Sequence, residues 1–358
     1  MYEVEFLSST SDTQSETRKY DAIVIRFQEE GDPRPYIVVI DAGYSDIGQV
    51  VVDHINQHYG TNRVDLLIST HADQDHINGI PTILERMEVG EVLIHQPRLH
   101  TDNAADFSNI EAVDTILNLC QQNSIKCDEE PFAGVERFDG RIVVLGPNIA
   151  LYEDMLQTHL DEVRTNAFPA SANSSRPTLE SVLAALSGLQ NRVLDLLPIE
   201  ILGNSGKTGP RNNSSVITAV NIAGHRMLFT GDAGIPALEM AADEYEYRFG
   251  LFSANPLGFF QAPHHGSKRN LGTDILDRML GPKGAGHNAN LVVFITTAYK
   301  STKHPSARVT NAVMRRGCQP HKLGVTKARQ GYIRHHYNAP TRANMVPLTP
   351  HPILSEDE

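Results

Sequence analysis

The 358-residue sequence predicts a mixed α/β fold, and three observations support this prediction. Short apolar segments typical of strands alternate with amphipathic segments typical of helices in the first half of the chain. Hydrophobic residues make up 40% of the sequence, which is ordinary for a globular protein with a substantial core. The sequence contains no internal repeat, so a repeat architecture is not expected.

Strands are predicted at short apolar runs that are bounded by turn residues, such as the turn Gly31-Asp32-Pro33. The predicted strands are Asp21–Phe27, Tyr36–Asp41, Val64–Ser69, Leu93–His95, Arg141–Leu145, Val216–Asn221, Met227–Thr230, Phe259–Ala262 and Leu291–Thr296. Helices are predicted where apolar residues recur with helical spacing. The predicted helices are Gln49–Tyr59, Ile110–Asn123, Ala237–Tyr247 and Ala307–Arg316.

One domain is predicted over residues 1–330, with a helical insertion at about 148–213 and a partly disordered C-terminal extension over 331–358. The insertion carries an apolar stripe at helical spacing, made by Val182, Leu186, Leu189, Val193 and Leu196. Core packing is the simplest interpretation of this stripe. A substrate lid is one alternative, and a subunit interface that would give a homodimer is another.

Charge and cysteine content limit the function classes. The net charge of −12 argues against a generic nucleic-acid binder, but Arg278–Leu354 contains twelve Lys or Arg and no Asp or Glu. This stretch predicts a surface for an anionic ligand, with an ordinary solvated surface as the alternative. Three cysteines without a CxxC pair, no secretory signal and no apolar run of about 18 residues indicate a cytoplasmic protein without a membrane partner.

The clearest chemical signal is the segment His71-Ala72-Asp73-Gln74-Asp75-His76, which follows the predicted strand Val64–Ser69. Imidazole nitrogens and carboxylate oxygens are ligands of zinc and manganese. Unpaired carboxylates are too costly to bury in an apolar core, so this cluster indicates a metal site. A solvated loop without a metal is the alternative interpretation.

The motif HxDxDH resembles the first metal motif of the metallo-β-lactamase superfamily, which is usually HxHxDH. Further segments resemble the superfamily's other motifs in the expected order: Asp41-Ala42-Gly43, Phe229-Thr230-Gly231-Asp232, Ala262-Pro263-His264-His265-Gly266-Ser267 and Lys303-His304-Pro305. Asn213-Ser214-Ser215 resembles an N-x-S element found in the metallo-β-lactamase domain of bacterial DNA-uptake channel (ComEC-type) proteins. The similarity spans roughly Asp21 to Arg316, and it implies an αββα sandwich of two mixed sheets flanked by helices.

This resemblance also implies two divalent metal ions, Mn²⁺ or Zn²⁺, that share Asp232 as a bridging ligand. The first ion would be bound by His71, Asp73 and Asp232. The superfamily's third histidine on this ion has no equivalent near Leu145-Gly146-Pro147. His95 is a candidate for that position, although a lone histidine in a strand is more often structural.

The second ion would be bound by Asp75, His76, Asp232 and one histidine of the pair His264 and His265. We expect His265 to be the ligand and His264 to face the substrate, with the reverse assignment as the alternative. A carboxylate at position 73, where the superfamily usually has histidine, makes the site harder. It therefore favours manganese over zinc.

The chemistry implied by the resemblance is hydrolysis by a metal-bridging hydroxide, with Asp75 among the catalytic residues. His264 or His304 would protonate the leaving oxygen, and Lys303 would stabilise a phosphate oxygen. We therefore predict a dinuclear metal-dependent hydrolase, a phosphodiesterase or nuclease acting on DNA, RNA or nucleotides. The alternatives are a hydrolase of another ester or amide, such as a lactone, and a non-catalytic binding module on the same fold.

Overall fold

The computed structural model describes residues 1–7, 18–167, 202–298, 301, 303–323, 331–335 and 345–350. Strands in these ranges are numbered in chain order, and most of them are short. They are β1 (Tyr2–Phe6), β2 (Ala22–Phe27), β3 (Tyr36–Ala42), β4 (Arg63–Val64), β5 (Leu66–Ile68), β6 (Glu88–Val89), β7 (Val92–Leu93), β8 (Glu136–Arg137), β9 (Ile142–Gly146), β10 (Ile217–Ile222), β11 (His225–Phe229), β12 (Phe259–Gln261), β13 (Val292–Ile295), β14 (Gln319–Leu323), β15 (Gly331–His335) and β16 (Met345–Pro347).

The α-helices of the described ranges are likewise numbered in chain order, and α1 continues into a π-helical segment at Ile55–Tyr59. They are α1 (Ser45–His54), α2 (Gln74–Ile77), α3 (Ile80–Arg86), α4 (Pro97–His100), α5 (Ile110–Gln122), α6 (Ile149–Ala167), α7 (Pro210–Asn213), α8 (Ile235–Phe249), α9 (Thr273–Leu280) and α10 (Ala307–Arg315). None of these helices is long and apolar enough to cross a membrane.

Two large sheets carry the fold, and both are mixed. The first has the strand order β15-β1-β2-β3-β5-β7. In it, β3 pairs with β5 and β5 with β7 in parallel, whereas the pairings from β15 to β3 are antiparallel. The second has the order β16-β14-β13-β12-β11-β10-β9-β8, with parallel pairing from β11 to β14. The predicted mixed α/β class is therefore confirmed.

The core explains how these layers are arranged. Strand β2 is an almost continuous apolar run, as expected of a strand that is buried on both faces, and its successive side chains point to opposite faces. Its Ile23, Ile25 and Phe27 join a cluster that also contains side chains of the second sheet, whereas Val24 joins a cluster formed with α1, α3 and α5. A third cluster packs the second sheet against α8, α9 and α10. Helices thus cover each sheet on the face opposite the shared cluster.

Most predicted elements occur in the structure, with ends shifted by a few residues. Helix α1 begins at Ser45 instead of at Gln49, and its first turn contains Asp46, a favourable residue near a helix N-terminus. The predicted helical stripe Val182–Leu196 lies outside the described residues, and the described part of the insertion contains α6 and α7. Strands β15 and β16, from the segment predicted as an extension, pair with β1 and β14.

The parallel strands place several loops at one edge of the molecule. Strands β3, β5 and β7 end at this edge of the first sheet, and β11, β12 and β13 end at the corresponding edge of the second. Two backbone hydrogen bonds join the loops: Val216 N donates to Thr70 O at 2.9 Å, and His264 N donates to Gly231 O at 3.1 Å. All the predicted metal-binding residues lie in these loops or in α2.

Candidate metal centre

The loop after β5 presents the first predicted ligands. His71 is buried, and the short helix α2 that follows begins directly after Asp73. His76 N donates to Asp73 O at 3.0 Å, which closes the first turn and turns the His76 side chain inward, where it is fully buried. The Asp73 and Asp75 side chains remain 23% and 24% exposed, so they line the open side of the cluster.

Asp232 lies between the two buried histidines. It follows β11, and its backbone N–H donates to Ser215 Oγ at 3.2 Å. One carboxylate oxygen, Oδ2, is 3.9 Å from His71 Nε2, and the other, Oδ1, is 3.5 Å from His76 Nε2. These three side chains form a group whose ligand atoms all lie within 4.8 Å of one another.

A second group of potential ligands shares His76 with the first. It consists of Asp75, His76 and His265, again with all ligand atoms within 4.8 Å of one another. His265 Nε2 is 3.8 Å from Asp75 Oδ2. The His265 backbone has a φ of 57°, a left-handed conformation that costs energy in a non-glycine residue and is often found at functional sites.

Hydrogen bonds to the other ring nitrogen orient the histidines of the first group. Thr70 Oγ1 lies 2.6 Å from Asp41 Oδ2 and can only donate to it, so it accepts from His71 Nδ1 at 3.0 Å. His76 Nδ1 donates to Asp41 Oδ2 at 2.7 Å. Both rings therefore hold a proton on Nδ1 and direct Nε2 into the cluster, as is usual for metal-binding histidines.

His265 is also oriented by a hydrogen bond at Nδ1, but here the partner is a backbone carbonyl. Its Nδ1 lies 2.8 Å from the carbonyl oxygen of Thr296, which can only accept, so the proton is on Nδ1 and Nε2 is free to bind a ligand. Asp21 Oδ1 lies 4.0 Å from the same nitrogen, and Gln261 Nε2 donates to Asp21 Oδ2 at 2.7 Å. Asp21 thus belongs to the layer of residues behind the ligands.

The buried atoms that face one another in this cluster have no hydrogen-bond partner among the described residues. They are Nε2 of His71, His76 and His265, and Oδ1 of Asp232. Unpartnered polar atoms are costly to bury, and four that converge on one place call for a cation that accepts lone pairs. The residues therefore fit a divalent metal ion of the kind that binds imidazole and carboxylate.

The pKa shifts in the cluster have the same electrostatic origin. Burial opposes the charged form of Asp232, but the adjacent imidazoles of His76 and His264 outweigh it and hold the pKa of the carboxyl well below its usual range. Burial likewise opposes protonation of His76, but the carboxylates of Asp232 and Asp41 raise its pKa well above the ordinary value. The cluster therefore stabilises positive charge at its centre.

The two carboxylate oxygens of Asp73 face different residues. Its Oδ2 is 3.8 Å from His71 Nε2, and its Oδ1 forms an ion pair with Arg211 Nη1 at 2.8 Å. Asp73 belongs to neither of the compact groups, unlike the other predicted ligands of the motif. Its position beside His71 is nevertheless the one expected of a ligand on that side of the cluster.

The residues predicted to act on the substrate lie around the open side. His264 is 28% exposed, and its Nδ1 contacts Asp232 Oδ2 and lies 2.8 Å from Asn212 Nδ2. The His304 ring centroid is 6.1 Å from that of His264, and burial lowers the pKa of His304 to about 3. Lys303 is exposed in the loop before α10.

His95 does not join either group of potential ligands, although it lies near His71. Both residues line a narrow cavity that also includes Tyr152, whose ring stacks on His95 with centroids 4.2 Å apart. Burial lowers the pKa of His95 to about 3, so the ring is neutral. A neutral ring could bind a metal, but His95 joins none of the groups of potential ligands among the described residues, so this arrangement does not support a direct role for it as the third ligand of the first ion.

The predicted basic surface is only partly formed. Arg278 pairs with Glu239, Asp243 and Glu246, while Arg316 is fully buried and pairs with Asp277. Arg308 is also largely buried, and Lys300 lies outside the described residues. Acidic residues from outside the basic segment Arg278–Leu354 therefore neutralise part of its charge.

Sequence reasoning missed the outer layer of the site and the contribution of α7. Asp41 was identified only as part of a turn, whereas it orients Thr70 and His76. No sequence motif included Arg211 or Asn212, although both directly precede the N-x-S element Asn213-Ser214-Ser215. The chain matches no model of a protein family, and no curated protein matches it either.

Proposed function

We propose that this protein is a metal-dependent hydrolase of the metallo-β-lactamase fold, similar to the domain in DNA-uptake channel proteins, and that it cleaves phosphodiesters. The main support is the convergence of three free Nε2 atoms and Asp232 Oδ1, all buried without a hydrogen-bond partner among the described residues. Two mixed sheets with helices on their outer sides, and a site at the ends of their parallel strands, agree with the αββα arrangement of that superfamily.

The proposed centre holds two divalent ions, one on each side of Asp232. The separate directions of the Asp232 oxygens support this, because Oδ2 faces His71 and Oδ1 faces His76. Asp73 would complete the set around His71, whose Nε2 is 3.8 Å from Asp73 Oδ2. Ligand atoms that share one ion through bonds of about 2 Å lie on the order of 3–4 Å apart, so these separations are suitable.

The second ion would be bound by Asp75, His76, His265 and Asp232. The distances of 3.5 Å between His76 Nε2 and Asp232 Oδ1 and of 3.8 Å between His265 Nε2 and Asp75 Oδ2 are again suitable. His265 is the better ligand of the histidine pair, because its Nδ1 proton is held by Thr296 O and its Nε2 is buried. Manganese is our first choice and zinc the second, because carboxylates make up half of the set.

When bound, two such ions supply an activated water and stabilise negative charge on a phosphoryl oxygen. The protein's own part is proton transfer and orientation. His264 is the best candidate to protonate the leaving oxygen, because it is partly exposed and lies beside Asp232. His304 is a poor proton donor, because burial lowers its pKa to about 3. The exposed Lys303 would stabilise a phosphate oxygen.

The experiment is an activity screen with Mn²⁺ or Zn²⁺ on bis-p-nitrophenyl phosphate, single- and double-stranded DNA, RNA and a lactone. We expect metal-dependent turnover of at least one phosphodiester. Asp232→Asn should abolish it, and Asp102→Asn, a matched change at an exposed carboxylate, should leave it intact. Turnover of the lactone alone would favour the alternative hydrolase. No turnover of any substrate, with metal bound, would favour a binding module.

A further inference from the structure

Arg211 is a cation at the open side of the metal centre that the proposed reaction has not used. It lies on α7, and its Nη1 forms an ion pair with Asp73 Oδ1 at 2.8 Å. The other oxygen of the same carboxylate, Oδ2, is 3.8 Å from His71 Nε2. The guanidinium is therefore separated from the ligand cluster by a single carboxylate, and its side chain is 29% exposed.

The backbone that carries Arg211 is fixed relative to the cluster. Ser214 Oγ donates to Arg211 O at 2.7 Å, and Ser214 N donates to Pro210 O at 3.0 Å. Asn212, the next residue, places its Nδ2 2.8 Å from His264 Nδ1 and 3.4 Å from Asp232 Oδ2. Arg211 thus approaches the site from a short helix that is itself anchored to the site.

The guanidinium retains donors that the described residues do not use. Arginine has five N–H donors in a planar fork, and within the described part of the chain Asp73 is the one acidic side chain that pairs with Arg211. His159 of α6 also lies near Arg211, and burial together with the charge of Arg211 lowers the pKa of this imidazole. The Nε2 atom of His159 accepts a hydrogen bond from Ser108 N at 3.4 Å, so this atom is already engaged by another donor.

We propose that Arg211 binds a second anionic group of the substrate, beside the scissile phosphodiester, and so selects substrates with two neighbouring phosphates. This inference rests on the proposed phosphodiesterase function. Asp73 holds the guanidinium in place through Nη1, and the remaining edge of the fork faces the second phosphate. Lysine would not replace it, because a single ammonium group lacks the planar fork of donors that lets an arginine pair with a carboxylate and bind a phosphate at the same time.

The test measures binding instead of turnover. The affinities of Mn²⁺, thymidine 5′-monophosphate and thymidine 3′,5′-bisphosphate are measured by calorimetry for the wild type, Arg211→Gln and Arg211→Lys. The control is Arg248→Gln, a similarly exposed arginine that pairs with Glu136 and Glu244 instead. We expect Arg211→Gln to weaken the bisphosphate about tenfold or more, with little change for Mn²⁺ and the monophosphate. Arg211→Lys should recover only part of the loss.

Three results would overturn the assignment. Weaker Mn²⁺ binding by Arg211→Gln would mean that Arg211 only positions Asp73, and an equal loss for both nucleotides would mean that it does not read the second phosphate. If the wild type bound both nucleotides equally well, selection for a second phosphate would also be excluded. By contrast, a wild type that prefers the bisphosphate through Arg211 but hydrolyses no diester would leave this inference standing and remove the proposed hydrolase function.

Discussion

Each buried histidine of the cluster is held at Nδ1 and free at Nε2, and this asymmetry gives the site its chemistry. The holding groups are Thr70 Oγ1 for His71, Asp41 Oδ2 for His76 and Thr296 O for His265. Such outer hydrogen bonds fix the tautomer of a ligand before a metal arrives. The histidine side chains therefore lose little conformational entropy when they bind a metal ion.

His76 is common to all three groups of potential ligands among the described residues, the third being Asp21, Asp41 and His76, whereas Asp75 belongs to only one. We therefore expect the wild type to bind two equivalents of Mn²⁺ or Zn²⁺, Asp75→Asn to bind one tightly, and His76→Ala to weaken both. Both variants should lose hydrolysis while keeping a native circular dichroism spectrum. Metal analysis after loading and desalting provides the count. A single equivalent in the wild type would refute the dinuclear centre.

Asp65, which directly precedes β5, carries a pH-dependent part of the stability. Its buried carboxylate accepts from Arg34 Nη1 and Nη2 at 3.0 and 2.7 Å, from Arg63 Nε at 2.8 Å and from Ile37 N at 2.8 Å. Burial by itself would raise the pKa of Asp65, but these donors lower it. A lowered folded-state pKa stabilises the fold above the unfolded value of about 3.9 and stops doing so as the pH falls through the folded pKa.

Asp65→Asn should therefore lower the free energy of unfolding by about 2 kcal/mol at neutral pH, and by progressively less below about pH 4. Urea denaturation between pH 3 and pH 8 measures this difference. Asp102→Asn, at an exposed site, should leave the pH profile unchanged. An equal loss of stability for Asp65→Asn at all pH values would show that packing, not charge, accounts for the effect.

At the scale of elements, the crossing of α1 and α3 depends on two glycines. A Cβ on Gly48 would lie 2.2 Å from Gly79 O, and a Cβ on Gly79 would lie 2.1 Å from Ala42 O. Helix α3 follows α2 after two residues, and Ala42 ends β3 just before α1. The glycines thus allow the helices to pack closely behind the metal-binding loop.

We predict that Gly79→Ala lowers the free energy of unfolding by about 2–3 kcal/mol, because backbone must move to admit the methyl group. Gly258→Ala is the matched control, since its Cβ would meet only Arg226 O at an ordinary 3.7 Å. It should change stability by less than about 1 kcal/mol. Thermal and urea denaturation provide the measurement, and equal effects of the two substitutions would contradict the close-packing explanation.

At the scale of the whole molecule, one apolar layer joins the two sheets. Phe6 of β1 in the first sheet lies with its ring 6.5, 5.8 and 4.3 Å from the rings of Phe229, Phe259 and Phe294, which belong to the second sheet. The site sits at an edge of this layer, between loops from both sheets. Its geometry therefore requires that the sheets remain packed together.

Phe6→Ala should lower the free energy of unfolding by about 3–5 kcal/mol, because it opens a cavity between the sheets. The exposed Tyr247, at 85% relative exposure, provides the control, and Tyr247→Ala should change stability by at most about 0.5 kcal/mol. We also expect the loss in Phe6→Ala to weaken metal binding indirectly. Urea denaturation with metal-binding assays tests both, and two separate unfolding transitions in the wild type would contradict the joint core.

Most of the strands and helices, and the residue types of the candidate metal cluster, could be predicted from the amino-acid sequence alone. Strand β2 and the HxDxDH motif could be predicted because their information is local: a short apolar run bounded by turn residues indicates a strand that is buried on both faces, and His71 to His76 lie within one loop and one helical turn. Strand β1 was not predicted, although its sequence YEVEF alternates apolar and acidic residues. Such alternation indicates a strand with one polar, exposed face, whereas Glu3 and Glu5 are fully buried.

The way in which these residues come together depends on the packing of the two sheets. Asp232 lies between His71 and His76 because β11 and β5 end at the same edge of two packed sheets, a relation that no sequence spacing contains. The same packing brings Arg211 to Asp73 and neutralises Arg278 with acids of another helix. Local patterns encode neighbours within an element, whereas the site's charge and ligand geometry arise from side chains that only the folded core brings together.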